Sequence, residues 1–307
     1  MGTNGIHHVT AIAGSAQRNL DFYTRVLGLR LVKRTVNFDD PGAYHLYYGD
    51  EAGSPGTILT FFPWEHAAEG RAGAGELQET VFRIPESAVG YWTARLMAYG
   101  VERLSRFGQT VLAFRDPDGL RLALVGLPGI EAEPAWAGGE VPSESAIRGF
   151  HSVSLMLDRT KATGAILSDV FGFAEVAREG DTVRYAAEGT AIGGIVDLRA
   201  VGGFLSARLG RGSVHHLAFR AADDAAEMEM ARKLATNHGL RTTEQKNRDY
   251  FRSVYFREPG HVLFEIATDI PGFDVDEPAA QLGSSLKLPA FLEGHRAQIE
   301  AALPALA

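Results

Sequence analysis

GIHHVTAIAGSAQRNLDFYTRVLG (residues 5–28) holds the unit from which the chain is built: an apolar strand, an amphipathic helix, and a glycine that ends it. The strand covers Gly5–Ile12 and the helix runs from about Ser15 to Leu27, where Leu20, Tyr23, Val26 and Leu27 recur at helical spacing and Gly28 is a natural C-cap. The same punctuation returns three times. Helices are expected from about Ser87 to Tyr99 before Gly100, Thr160 to Phe171 before Gly172, and Asp223 to His238 before Gly239. The intervals between these glycines are 72 (100 − 28), 72 (172 − 100) and 67 (239 − 172) residues, the mark of internal duplication.

Strands around the helices repeat too. GIHHVTAI (5–12), GFHSVSLM (149–156) and SVHHLAFR (213–220) read as one opening strand, and counting back from the glycines places His8, Thr80, Ser152 and His216 in equivalent positions. TILTFFPW (57–64), RLALVG (121–126), GGIVDLRA (193–200) and HVLFEIAT (261–268) read as one closing strand, which makes Thr60, Ala123, Asp197 and Glu265 equivalent. Turn signals DPDG (116–119) and EPGH (258–261) precede two of them. The fold class that follows is α+β, four βαβββ modules in one chain, each an incomplete curved sheet that must pair with another to close a cup. Residues 1–140 and 141–280 would each carry two modules, and 281–307 would form a helical tail from about Pro289, packed on its own chain or on a neighbour.

Composition narrows the function. A 307-residue chain with 45% apolar and 22% charged residues fills ordinary globular cores. Net charge is −8 and no Lys/Arg-rich run stands out, so nucleic acid and anionic membranes are poor partners. No window approaches a membrane span, the N-terminus lacks a secretory pattern, and Gly2 is followed by Ile6 where myristoylation needs Ser or Thr. Without cysteine there are no disulfides, thiolate metal sites or cysteine nucleophiles, and a cytoplasmic location is expected.

Two His-His pairs and an acidic residue in an apolar strand point to a metal. Neighbouring side chains on a strand face opposite ways, so one histidine of each pair points into the cup; His8 and His216, at aligned positions, are the ones expected to do so. Glu265 lies between Leu263, Phe264 and Ile266, where an uncompensated carboxylate costs several kcal/mol. Pairing copy one with copy four collects His8, Thr60, His216 and Glu265. Three are ligands and one is not, the pattern of a facial triad with open positions. Copies three and four cannot supply it, because position 152 is serine; Asp197 reads as a solvated or salt-bridged residue and His45 as structural.

These residues, with FYTRVLGLRLVKRTVNFDDP (22–41), YHLYYGDEAGSPGT (44–57) and RDYFRSVYFREPGHVLFEIATDIPGF (248–273), resemble the vicinal oxygen chelate superfamily and, within it, the ring-cleaving dioxygenases that open chloro- and methylhydroquinones. The likeness spans almost the whole chain. It implies the glyoxalase/bleomycin resistance/dihydroxybiphenyl dioxygenase fold, with modules paired into curved mixed-sheet half-barrels. It also implies Fe(II), with Mn(II) accepted by the same ligands, on His8, His216 and Glu265, and outer roles for His7, Thr10, His215, Arg248 and Tyr255. A small aromatic substrate and O2 are the implied partners, and homo-oligomers are common among such proteins. One departure is Gly260-His261 where the family has Gly-Gly. Residues alone leave Arg248 open as a surface charge beside Asp249 and Tyr255 as a packing residue; Phe251 and Trp64 are expected in the walls of the site. Two other classes stay open, a glyoxalase-type metal lyase or isomerase, which normally uses a fourth protein ligand where Thr60 stands, and a protein that only binds aromatic compounds.

Overall fold

The computed structural model describes residues 4–306, so Gly2 lies outside the described residues. Four modules follow one another. The first is β1 (Ile6–Ala13), α1 (Ala16–Asp21), β2 (Arg30–Asn37), β3 (Asp40–Gly49) and β4 (Ile58–Pro63); the second is β5 (Glu76–Pro85), α2 (Val89–Arg95), β6 (Glu102–Arg106), β7 (Gln109–Arg115) and β8 (Arg121–Leu127). The third is β9 (Phe150–Leu157), α3 (Lys161–Asp169), β10 (Phe173–Glu179), β11 (Thr182–Ala187) and β12 (Ile195–Ala200); the fourth is β13 (Val214–Ala221), α4 (Asp224–His238), β14 (Lys246–Asn247), β15 (Phe251–Arg257) and β16 (Leu263–Pro271). Gly28, Gly100, Gly172 and Gly239 all have φ between 65° and 72°, the left-handed backbone that stops a helix and suits glycine.

The strands form two eight-stranded mixed sheets, ordered β14-β15-β16-β13-β1-β4-β3-β2 and β10-β11-β12-β9-β5-β8-β7-β6. Module one thus joins module four across the antiparallel β1–β13 seam, and module two joins module three across β5–β9. Each sheet draws one module from either half of the sequence. Within a module the first and last strands run parallel, as β1 with β4 and β13 with β16, so the chain must cross over through its helix. One apolar core takes residues from both sheets and from the helices, Ala16, Trp92, Leu167 and Leu234 among them. The buried Trp92 indole donates to the Ser145 carbonyl at 2.7 Å, which keeps its burial from stranding a polar group.

Three expected helices differ in form, the second being α-helical only over Val89–Arg95, between 3-10 turns at Glu86–Ala88 and Met97–Tyr99. The segment expected to be helical to Leu27 widens into a π turn at Phe22–Val26, where the Leu27 amide donates to the Phe22 carbonyl. The wider turn lets the adjacent Phe22 and Tyr23 both enter the core, at 1% and 0% exposure. In the tail, a turn at Pro289–Leu292 and a 3-10 turn at Glu293–His295 delay the helix, so α5 spans only Arg296–Ala302. The tail packs on its own chain. Tyr44 of β3 donates to the Pro304 carbonyl at 3.0 Å, and Lys33 of β2, with no exposed side-chain surface, is held by Asp276 and by Glu277 at 2.6 Å.

Removing one partner of a buried ion pair strands the others. Lys33→Met is expected to destabilise the protein by about 3–5 kcal/mol in denaturant unfolding. It should also open the segment after Gly272 to limited proteolysis; an unchanged midpoint and cleavage pattern would show that this segment is held by other contacts.

Candidate metal centre

The β1–β13 seam carries an irregularity on each strand. Ile6 pairs with Phe219 and His8 with Ala218, so His7 is an extra residue; Thr10 pairs with His216 and Ala11 with Val214, so His215 is another. Such bulges re-aim side chains. In each pair the first imidazole swings against the second, with Nδ1 to Nδ1 distances of 2.9 Å for His7–His8 and 2.8 Å for His215–His216. Each contact leaves Nε2 of the second histidine directed into the cup. With Nε2 bare for a metal, Nδ1 carries the hydrogen and donates to its neighbour, the outer hydrogen bond that fixes the tautomer and ring plane of a ligating histidine.

Glu265 of β16 completes the cluster. His8 Nε2 and His216 Nε2 are 3.3 Å apart, and Glu265 Oε2 lies 3.3 Å from the first and 2.9 Å from the second. Cis ligands about 2.1 Å from an octahedral ion stand about 3.0 Å apart, so the three atoms match one face of such a coordination sphere. Glu265 has no exposed surface, and neither of its oxygens receives a well-directed hydrogen bond. Burial pushes its carboxyl up, but the His8 and His216 imidazoles outweigh that and hold it well below the usual carboxylate range. A buried carboxylate that lacks a well-directed hydrogen bond and lies beside two imidazole nitrogens fits a cation. This is the cluster of potential metal ligands among the described residues, all three buried.

Thr60 takes the place symmetric to Glu265, with Thr60 paired to Thr10 as Glu265 is paired to Ala218, each two residues beyond the histidine. It bears no ligating group there; its hydroxyl donates to Thr10 Oγ1 at 2.9 Å. Thr10 itself is buried and does not line the cavity.

The triad opens into a cavity of about 310 Å³ whose walls include Phe251, Phe62 and Trp64, as well as His215, Arg248 and Tyr255. Phe251 covers His8 at a ring separation of 5.1 Å. Tyr255 approaches His216 at 5.8 Å, and its hydroxyl receives hydrogen bonds from Arg248 Nε at 3.3 Å and Ser253 at 3.1 Å, which leaves its own hydrogen to donate into the cup. Burial, then Glu265, raises its pKa, so it stays a phenol. Arg248 is also tied to Asp39 at 3.2 Å. His7 faces away, into a separate small cavity with Tyr250 and Phe273.

The other seam lacks a triad. Register there equates His8 with Glu79, one residue from the expected Thr80, because Glu79 pairs with Ser154 and Val81 with Ser152 around bulges at Gln78 and His151. Counting from a glycine missed the shift because the stretch from Glu79 to Gly100 is 21 residues (100 − 79), one more than the 20 from His8 to Gly28 (28 − 8). The two carboxylates at the ligand-equivalent positions of that cup each carry a guanidinium, Glu79 with Arg106 and Asp197 with Arg184 at 2.8 Å through both oxygens.

Known proteins similar to this chain come from one superfamily. Residues 5–124 match the model of the Glyoxalase/Bleomycin resistance protein/Dioxygenase superfamily. Over 98% of its length the chain is 46% identical to a Bacillus subtilis protein named "Putative ring-cleaving dioxygenase MhqO", covering 96% of that protein. The chain belongs to this superfamily, among its ring-cleaving dioxygenases. The chlorohydroquinone/hydroquinone 1,2-dioxygenase of Sphingobium indicum is 36% identical over 94% of the chain and 92% of that enzyme. A Bacillus subtilis crystal structure titled as a "putative dioxygenase" superposes with a TM-score of 0.93 at 45% identity, covering 99% and 97% of the two chains. Relatives of this kind make the chain an oxidoreductase.

In this ring-cleaving dioxygenase, sequence reasoning passed over His45 and Tyr47, which line the cavity from β3. The repeat held a signal for the second: Tyr47 pairs with Thr60 as Tyr255 pairs with Glu265. Burial lowers the pKa of His7, His45 and His216 and brings that of His215 down to about 3, with the neighbouring imidazoles adding to the effect at His7, His45 and His215. These groups bind protons only when the chain unfolds, so below about pH 6.5 the unfolded state holds more protons and stability falls as pH falls. For the metal-free protein each buried histidine should remove up to about 2 kcal/mol between pH 7 and 5. Urea unfolding at several pH values measures this; a flat profile would mean that the rings are charged in the folded state.

Proposed function

We propose that the protein is an Fe(II)-dependent dioxygenase that cleaves the ring of hydroquinones, with His8, His216 and Glu265 as the metal ligands. The observation that carries this reading is the buried Glu265 carboxylate, without a well-directed hydrogen bond, beside two imidazole nitrogens at cis-ligand spacing. Thr60 in the fourth place favours a three-ligand oxygen-activating centre over a four-ligand lyase. Iron(II), when bound, supplies a Lewis acid and a one-electron couple, which together let dioxygen react with an aromatic ring. Mn(II) accepts the same ligands.

The chain's own residues divide the remaining work. His7 and His215 hold the ligand rings. Arg248 places positive charge on the Tyr255 side of the cup, and the free hydrogen of Tyr255 is positioned to donate to an ionised phenolic oxygen. Phe251, Phe62 and Trp64 provide apolar walls that accept an aromatic ring and displace water. The substrate identity rests on the names of the relatives. We also read residues 1–140 and 141–280 as two units of two modules each, with 281–307 as an appended tail.

Metal-free protein loaded anaerobically with Fe(II) should consume oxygen with methyl- or chlorohydroquinone, in step with loss of aromatic absorbance. Glu265→Gln is expected to lose metal retention and turnover together, by at least about a hundredfold in turnover. Full activity in that variant, or turnover of a glutathione hemithioacetal without oxygen uptake, would overturn the assignment.

A further inference from the structure

The local symmetry that pairs His8 with His216 also pairs two tyrosines. Tyr47 lies opposite Thr60 and Tyr255 opposite Glu265, so the two rings flank the triad and line the same cavity. Their settings differ. Tyr255 receives hydrogen bonds from the Arg248 guanidinium and from Ser253, which puts a positive charge on its side of the cup. Tyr47 has one hydrogen-bond partner among the described residues, His45 Nδ1 at 2.8 Å. His45 is in turn held by Thr60 Oγ1 at 2.7 Å from its Nε2, and its ring packs on Phe62 at 4.4 Å. This side of the cup carries a neutral polar pair, and it is the side on which Thr60 stands in the place symmetric to Glu265.

An oxygen that ionises belongs near the cation and the arginine; a hydroxyl that stays protonated is better received by neutral groups. The two oxygens of a 1,4-dihydroxybenzene lie at opposite ends of the ring, so that when one is at the centre the other must be met by the cavity wall. A 1,2-dihydroxybenzene brings both oxygens to the centre and makes no such demand.

We propose that Tyr47, positioned by His45, receives the second hydroxyl of a 1,4-dihydroxybenzene and so selects hydroquinones over catechols. This rests on the ring-cleaving reading above and names the residues that set its substrate class. Both nitrogens of His45 are engaged, so it is a positioning residue and does not touch the substrate. Because the Thr60 hydroxyl donates to Thr10, His45 Nε2 carries the ring hydrogen and donates to Thr60 Oγ1, which leaves Nδ1 to accept the Tyr47 hydrogen. The phenol oxygen of Tyr47 is therefore free to accept from the incoming hydroxyl.

The test is anaerobic binding to protein loaded with redox-inactive Zn(II), followed by calorimetry with hydroquinone, catechol and phenol, so that affinity is read apart from turnover. Wild type should bind hydroquinone about tenfold tighter than phenol, the worth of one good hydrogen bond. Tyr47→Phe should bind the two alike with phenol affinity unchanged, and His45→Gln should narrow the ratio while Tyr47 remains. Tyr255→Phe should weaken all three ligands together. A hydroquinone preference that survives in both Tyr47→Phe and His45→Gln overturns the proposal and leaves the ring-cleaving reading standing. Failure of wild type to bind any of the three overturns both. Should Tyr47→Phe not fold, as judged by circular dichroism, the His45→Gln ratio decides alone.

Discussion

The antiparallel seam between β1 and β13, with one extra residue on each strand, is the constraint on which the site depends. Regular pairing would send His7 and His215 to the face away from the cup and leave His8 and His216 without partners for their outer nitrogens. The bulges bring each first histidine against the second, so that a dipeptide repeated in two modules becomes two oriented rings. Parallel pairing of β13 with β16 then brings Glu265 within 2.9 Å of His216. A buried carboxylate is tolerable because the backbone places two imidazoles beside it and leaves room for a cation.

The second seam shows what the fold supplies without those residues. Its bulges at Gln78 and His151 occupy the same places, and it encloses a cavity of about 300 Å³, nearly the size of the first. Glu79 and Asp197 stand where ligands would stand, yet Arg106 and Arg184 neutralise them from within the chain. One architecture thus meets a carboxylate in a cup in two ways, by a guanidinium in one sheet and by two imidazoles at ligand spacing in the other. Charge compensation differs between the cups, while strand order does not.

Much of this was legible in the sequence because it rests on short, periodic signals. The four glycines and the HH dipeptides mark the modules and their ends, and Ser152 against His216 was enough to exclude pairing of copies three and four at a metal. The pairing of copies one and four, with Glu265 opposite Thr60, needed no coordinates. Signals that depend on backbone irregularity were not readable in the same way. The connection from strand to helix end is one residue longer in module two than in module one, so Thr80 was aligned where Glu79 belongs, and no pattern announces the π turn that admits both Phe22 and Tyr23 to the core. His45 read as an ordinary strand residue because its partners, Tyr47 and Thr60, are set by pairing of β3 with β4. The contact between β2 and the segment just before the tail was likewise hidden, since Lys33 looks like any surface lysine until Asp276 and Glu277 are placed beside it.

The central claim is that two cups of the same build carry one metal between them. Metal-free protein equilibrated with excess Fe(II) under anaerobic conditions, freed of unbound ion and analysed by mass spectrometry for metal and by X-ray absorption for ligands, tests it most directly. The account predicts one ion per chain with two imidazole nitrogens and a carboxylate oxygen in its coordination sphere. No retained ion, or a second one held in the cup of Glu79 and Asp197, would contradict it.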